Sequence, residues 1–179
     1  MVYVFLAEGF EEIEALTPVD ILRRGGIDVK TVGVGSKTVT GSHGINVICD
    51  LNETDVNLAD ISAVILPGGM PGTINLEKSQ TVLNALDYAY KNAKIIGAIC
   101  AAPSIIGKLG FLNGKEAICF DSFEKYLSGA VVSDASVVQD GQIITARGAG
   151  VASEFGFKIL SALKDAKTAD KLKNDMKYI

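Results

Sequence analysis

Apolar residues fall in short continuous runs along this chain, separated by longer stretches with helical spacing. Val2 to Ala7, Ala63 to Leu66 and Ile95 to Ile99 are almost uninterrupted apolar segments. Such runs suit strands covered on both faces of a sheet. Asp28 to Val34 reads as a further strand. Between them, Ser79 caps a predicted helix to about Asn92, with Val82, Leu83, Leu86 and Ala89 on its apolar face. Glu11 to Leu16 is predicted helical, Thr17-Pro18 to interrupt it, and Pro18 to Arg24 to form a second helical piece. Lys37 to Cys49 carries two short β-like runs around Gly41-Ser42-His43-Gly44, the pattern of a hairpin.

The later half follows the same logic. Ala101 to Leu109 is predicted to be a helix, with Pro103 in its first turn and Gly110 as its stop. Lys115 to Phe120 reads as a strand and Asp121 to Leu127 as a short helix. Ala130 to Val132 and Val137 to Gln139 are extended, and Asp140-Gly141 marks a hairpin returning through Gln142 to Ala146. Val151 to Leu163 is an amphipathic helix and Thr168 to Met176 a short charged one. Alternating strands and helices predict an α/β sandwich around a mainly parallel sheet, as one domain over residues 1–179.

Composition narrows the function classes. The 179 residues suit one domain, and a chain of this size buries roughly 70% of its unfolded surface without staples. Formal net charge is -4 with dispersed Lys and Arg, which disfavours nucleic acid as a partner. No apolar run is long enough for a membrane helix, and the N-terminus lacks a basic leader or cleavage pattern. Cys49, Cys100 and Cys119 form no C-x-x-C pair, so reduced thiols and a cytoplasmic location are expected. A single histidine and scattered cysteines speak against a zinc site, and no metal or cofactor is expected.

Ligands of such sheets gather at the carboxyl ends of the strands. Four loops follow predicted strands: Glu8 to Glu14, Pro67 to Gly72, Cys100-Ala101 and Arg147 to Gly150. Cys100 stands at a strand-to-helix turn like a nucleophile elbow, where a helix dipole is expected to favour the thiolate. The Ala101 N–H is expected to face an oxyanion, and Gly69 offers a second donor in a loop, Pro67 to Gly72, that taken alone reads as a plain turn. Glu11 and Glu12 read as solvated residues complementing a helix start, whereas Glu14 is the carboxyl that a cleft would hold protonated. His43 reads as a loop residue, Cys49 and Cys119 as packing residues, and Arg23 and Arg24 as complements to a helix C-terminus. Arg147, in a glycine-flanked loop, is a candidate anion ligand. GFLNGKE misses the P-loop spacing, and no G-x-G-x-x-G opens a helix after the first strand.

Four segments, AEGFEEIEALTPVDILRRGGIDV, VILPGGMPG, IGAICAAPSIIGKLG and DGQIITARGAGVASEFG, resemble the ThiJ/PfpI superfamily in order and spacing. Within it they resemble the branch of the Parkinson-disease-associated deglycase and bacterial ThiJ proteins. The resemblance implies a flavodoxin-like three-layer sandwich, related to class I glutamine amidotransferases, that forms a homodimer. It implies Cys100 as nucleophile, Glu14 as the protonated acid beside the sulfur, and Gly69 and Ala101 as amide donors. It further implies cofactor-free glyoxalase or deglycase activity on small reactive carbonyls or glycated amines and thiols. A redox-sensing or chaperone role through Cys100 sulfinate is the alternative. Hydrolytic relatives place a histidine beside the cysteine or later in the chain, and some glyoxalase-competent relatives carry one near Ser128 to Val132. This chain has neither, so proton transfer falls to Glu14, Cys100 or water.

Overall fold

The computed structural model describes residues 1–178. The elements in order are β1 (Val2–Leu6), α1 (Glu12–Arg24), β2 (Val29–Gly33), β3 (Thr38–Thr40), β4 (Asn46–Ile48) and β5 (Leu51–Asn52). Next come β6 (Ala63–Leu66), α2 (Gly72–Lys78), α3 (Gln80–Lys91), β7 (Ile95–Ile99), α4 (Pro103–Lys108), β8 (Glu116–Ala117) and β9 (Val131–Val132). The hairpin β10 (Val137–Asp140) and β11 (Ile143–Ala146) leads into α5 (Ala152–Leu163) and α6 (Ala166–Asp175).

The main sheet runs β10-β11-β7-β6-β1-β2-β5. All neighbours pair in parallel except β10 with β11. Alternation along β1 shows why the sheet needs cover on both faces. Tyr3 and Phe5 enter one apolar cluster with Leu86, Ile96 and Ile105; Val2, Val4 and Leu6 enter the other with Ile21, Phe155 and Leu160. Helices fill both faces, giving a flavodoxin-like three-layer sandwich. The four central strands β11, β7, β6 and β1 are adjacent and parallel, so their carboxyl ends lie side by side. That adjacency gathers the four loops singled out above.

Three local expectations are corrected. Pro18 lies inside α1 instead of starting a second helix. The ring removes the hydrogen bond to the Glu14 carbonyl. Burial of Pro18, Ile21 and Leu22 keeps the helix continuous, and Gly156 of α5 lets the helices approach so closely that a Cβ there would lie 3.2 Å from Pro18 Cα. The strand predicted over Lys115 to Phe120 shrinks to Glu116–Ala117, because the following amides bond elsewhere: Ile118 N–H to Thr145 Oγ1 and Phe120 N–H to the Cys100 carbonyl. The helix predicted over Asp121 to Leu127 is a single 3₁₀ turn, Glu124–Tyr126. The β3–β4 hairpin and the Ser79 cap, which accepts from Val82 N–H, match the sequence pattern. Among the described residues no helix is long and apolar enough to cross a membrane.

Candidate active site

Cys100 follows the last residue of β7 and precedes α4. Its φ of 63° lies in the left-handed region, which a residue with a Cβ enters at a cost. The turn is held from both sides. Cys100 N–H donates to the Ala146 carbonyl at 2.8 Å, and its carbonyl accepts from Phe120 N–H at 2.8 Å. Ser104 Oγ donates to the Ala101 carbonyl at 2.7 Å and closes the first turn beyond the elbow. Cys100 is half-buried, whereas Cys49 and Cys119 are fully buried.

Glu14 comes from the first turn of α1 and is 1% exposed. One carboxyl oxygen, Oε2, accepts from Gly68 N–H at 2.8 Å, and the carboxyl also hydrogen-bonds Cys100. Gly68 has no room for a side chain: a Cβ would lie 2.7 Å from Glu14 Oε2, 2.8 Å from Cys100 Cβ and 3.0 Å from Ala101 N. The glycine therefore permits the acid, the cysteine and the amide to converge. Gly69, at φ 87°, is fixed by Thr73, whose N–H and Oγ1 both donate to its carbonyl at 2.9 and 3.0 Å. Backbone hydrogen bonds from Ala101 and Gly69 act to lower the Cys100 pKa. All four residues singled out in sequence thus meet in one place.

The electrostatics correct one expectation. The Cys100 thiol is not acidified by a helix dipole. Burial, followed by the Glu14 charge and the hydrogen bond to it, pushes its pKa up to about 12, against the Ala101 and Gly69 amides. The helix α4 has six residues and begins beyond Cys100, so its dipole is small and displaced. Burial pushes the Glu14 pKa up to about 7, against hydrogen bonds from Cys100 and Gly68, and the Glu11 charge adds to the rise. Between these two values the pair holds one proton. A thiolate forms there when Glu14 holds that proton, since two negative charges in contact are disfavoured.

The acidic neighbours divide differently from the sequence reading. Glu12 is 5% exposed and not solvated. Its Oε1 accepts from the His43 and Ile45 N–H groups, and its Oε2 lies 3.0 Å from His43 Nδ1. Burial raises the Glu12 pKa, but these bonds outweigh it and bring it down to about 2. Glu11 Oε2 lies 3.4 Å from His43 Nδ1 and accepts from Ser42 Oγ. One ligand atom each from Glu11, Glu12 and His43 lies within 4.8 Å of the others, yet the Glu12 oxygens are already engaged by the hairpin. Glu12 and Glu14 stand two apart on a helix and face different sides. His43 therefore pins the β3–β4 hairpin to α1, away from the sulfur. Gly68 and Glu12 were missed as site-building residues; the glycine run after β6 was the one local signal for the former.

Comparison with known proteins gives the family. The DJ-1/PfpI family profile matches residues 1–162. Protein dj-1beta of Drosophila melanogaster is 36% identical over 163 residues, covering 89% of this chain and 87% of that protein. A Caenorhabditis elegans protein named glutathione-independent glyoxalase DJR-1.2 is 30% identical over 166 residues, covering 92% of this chain and 89% of its own. The structure of oxidized Toxoplasma gondii DJ-1 superposes with a TM-score of 0.94 at 29% identity, over 99% of this chain and 97% of that one. With a profile along nearly its whole length and relatives aligned end to end, this chain is a member of the DJ-1/PfpI family.

Proposed function

We propose that this chain is a cofactor-independent glyoxalase that converts small 2-oxoaldehydes to 2-hydroxy acids, and that the same site can deglycate early adducts. The observation that carries the reading is the convergence of the Glu14 carboxyl, Cys100 and the Ala101 amide around Gly68, whose absent Cβ would lie within 3.0 Å of all three. The thiolate adds to the aldehyde carbon of methylglyoxal, and Glu14 delivers its proton to the new alkoxide, giving a hemithioacetal. The Glu14 carboxylate then takes the proton from that carbon, and the amides of Gly69 and Ala101 stabilise the enediolate oxygen. Return of the proton to the adjacent carbon gives a thioester, which water cleaves to lactate and free Cys100. A pKa near 7 suits a group that must both give and take a proton at neutral pH. Lactate formation from methylglyoxal without added thiol or metal is the test; none from the wild-type protein rules out the reading.

A redox-responsive role through Cys100 is the second reading, favoured by its half-buried position and by the oxidized relative. The amides and protonated Glu14 that hold a thiolate also suit a sulfinate. Under limiting peroxide, Cys100 is expected to gain oxygen before Cys49 or Cys119, as read by peptide mass spectrometry. Earlier oxidation of either buried thiol contradicts it.

We further propose that the chain works as a homodimer. Ile13 and Ile45, 54% and 53% exposed, flank a cavity with Glu11, Glu12 and His43 and leave apolar surface uncovered. Sedimentation at twice the chain mass is expected at micromolar concentration; a monomer there refutes it.

A further inference from the structure

We propose that Arg147 selects 2-oxoaldehydes that carry a carboxylate a few carbons from the reacting aldehyde. This rests on the glyoxalase reading above. A cavity of about 370 Å³ lies beyond the ends of β7 and β11, lined by Phe120, Asp121, Arg147, Gly148, Ala149 and Val151. Two backbone bonds tie its walls to the nucleophile. The Cys100 carbonyl accepts from Phe120 N–H, and Cys100 N–H donates to the carbonyl of Ala146, the residue before Arg147. Phe120 is thus bonded directly to the Cys100 backbone, and Arg147 follows the residue bonded to it on the other side.

Phe120 and Val151 give the cavity apolar walls, and Phe120 is 50% exposed, which suits a short aliphatic chain. Its charged groups are Arg147 and Asp121. Among the described residues Arg147 makes no ion pair, and its backbone N–H donates to the Ser136 carbonyl. An arginine without a carboxylate partner on a cavity wall offers a planar fork that fits a carboxylate with two parallel hydrogen bonds. Asp121 repels an anion, and removing its charge should strengthen the preference.

The reaction is the same isomerisation with one added water. With 4,5-dioxopentanoate, Cys100 adds to the terminal aldehyde and a proton moves from that carbon to its neighbour. Water then cleaves the thioester to 2-hydroxyglutarate. The distal carboxylate is unchanged and serves only for binding.

The test compares kcat/KM for 4,5-dioxopentanoate and for its uncharged methyl ester in wild-type protein, Arg147→Gln, Arg147→Lys and Asp121→Asn. For a solvent-accessible pair, an acid-to-ester preference of about twofold to fivefold is expected in wild type, carried by KM and weakened by salt. Arg147→Gln should bring the ratio to about one, Arg147→Lys should restore part of it, and Asp121→Asn should raise it. A purely structural effect at Arg147 would lower both substrates together and leave the ratio intact; that result overturns the inference. Wild-type protein that converts methylglyoxal but shows no acid preference also overturns it while leaving the glyoxalase reading standing. Failure to convert methylglyoxal removes both.

Discussion

Cys100→Ser is expected to lower lactate formation from methylglyoxal by at least about 10³-fold, a loss of about 4 kcal/mol of transition-state stabilisation. The serine keeps the size of the side chain and the backbone bonds to Ala146 and Phe120, so the fold should be retained. What it removes is the nucleophile. The Cys100 proton is transferred within a pair whose acid titrates at about 7. A serine hydroxyl is far too weak an acid to give up its proton to that carboxylate. The amides of Ala101 and Gly69 would then face an oxygen that carries no charge. Lactate production by the variant equal to that of wild type, at matched folded protein, would eliminate covalent catalysis here.

Glu14→Gln should act on two readouts at once. Turnover is expected to fall by about 10²- to 10⁴-fold, because the amide can neither deliver nor accept the migrating proton. Stability should move with pH in the opposite direction. The Glu14 pKa is raised from 4.5 to about 7 in the folded protein, so the native state binds the proton more tightly than the unfolded chain. Its stabilising contribution is complete below 4.5 and is lost as pH rises through about 7. The span amounts to about 3 kcal/mol for a side chain this deeply buried. Glutamine still accepts from Gly68 N–H but does not titrate. Urea unfolding at pH 5 and pH 8 should therefore show the variant gaining about 2.5 kcal/mol on wild type between the two. A pH-independent difference would mean that Glu14 is ionised in both states.

Much of the fold was legible because buried parallel strands write themselves as apolar runs. β1, β6 and β7 follow this pattern, and the Asp140-Gly141 turn marked the antiparallel pair. The elbow at Cys100 was readable from such a run followed by Pro103 at a helix start. Other features depend on partners distant in sequence. Glu12 reads as a solvated acid until the β3–β4 hairpin supplies two N–H donors and an imidazole. The direction of the Cys100 pKa was misread for the same kind of reason. A local helix start is visible in sequence, but the burial that raises the thiol pKa, and the Glu14 charge that adds to it, come from tertiary packing. Pro18 shows the converse, a strong local signal for a break overridden by packing against α5.

The left-handed backbone at Cys100 has a consequence for lineages that carry this fold. Glycine would occupy φ 63° without the Cβ penalty and relieve about 1 kcal/mol of strain. Relief of that strain would favour glycine at position 100, and the sulfur's chemistry favours cysteine there. A descendant with glycine at this elbow and the rest of the sandwich intact would have given up covalent chemistry.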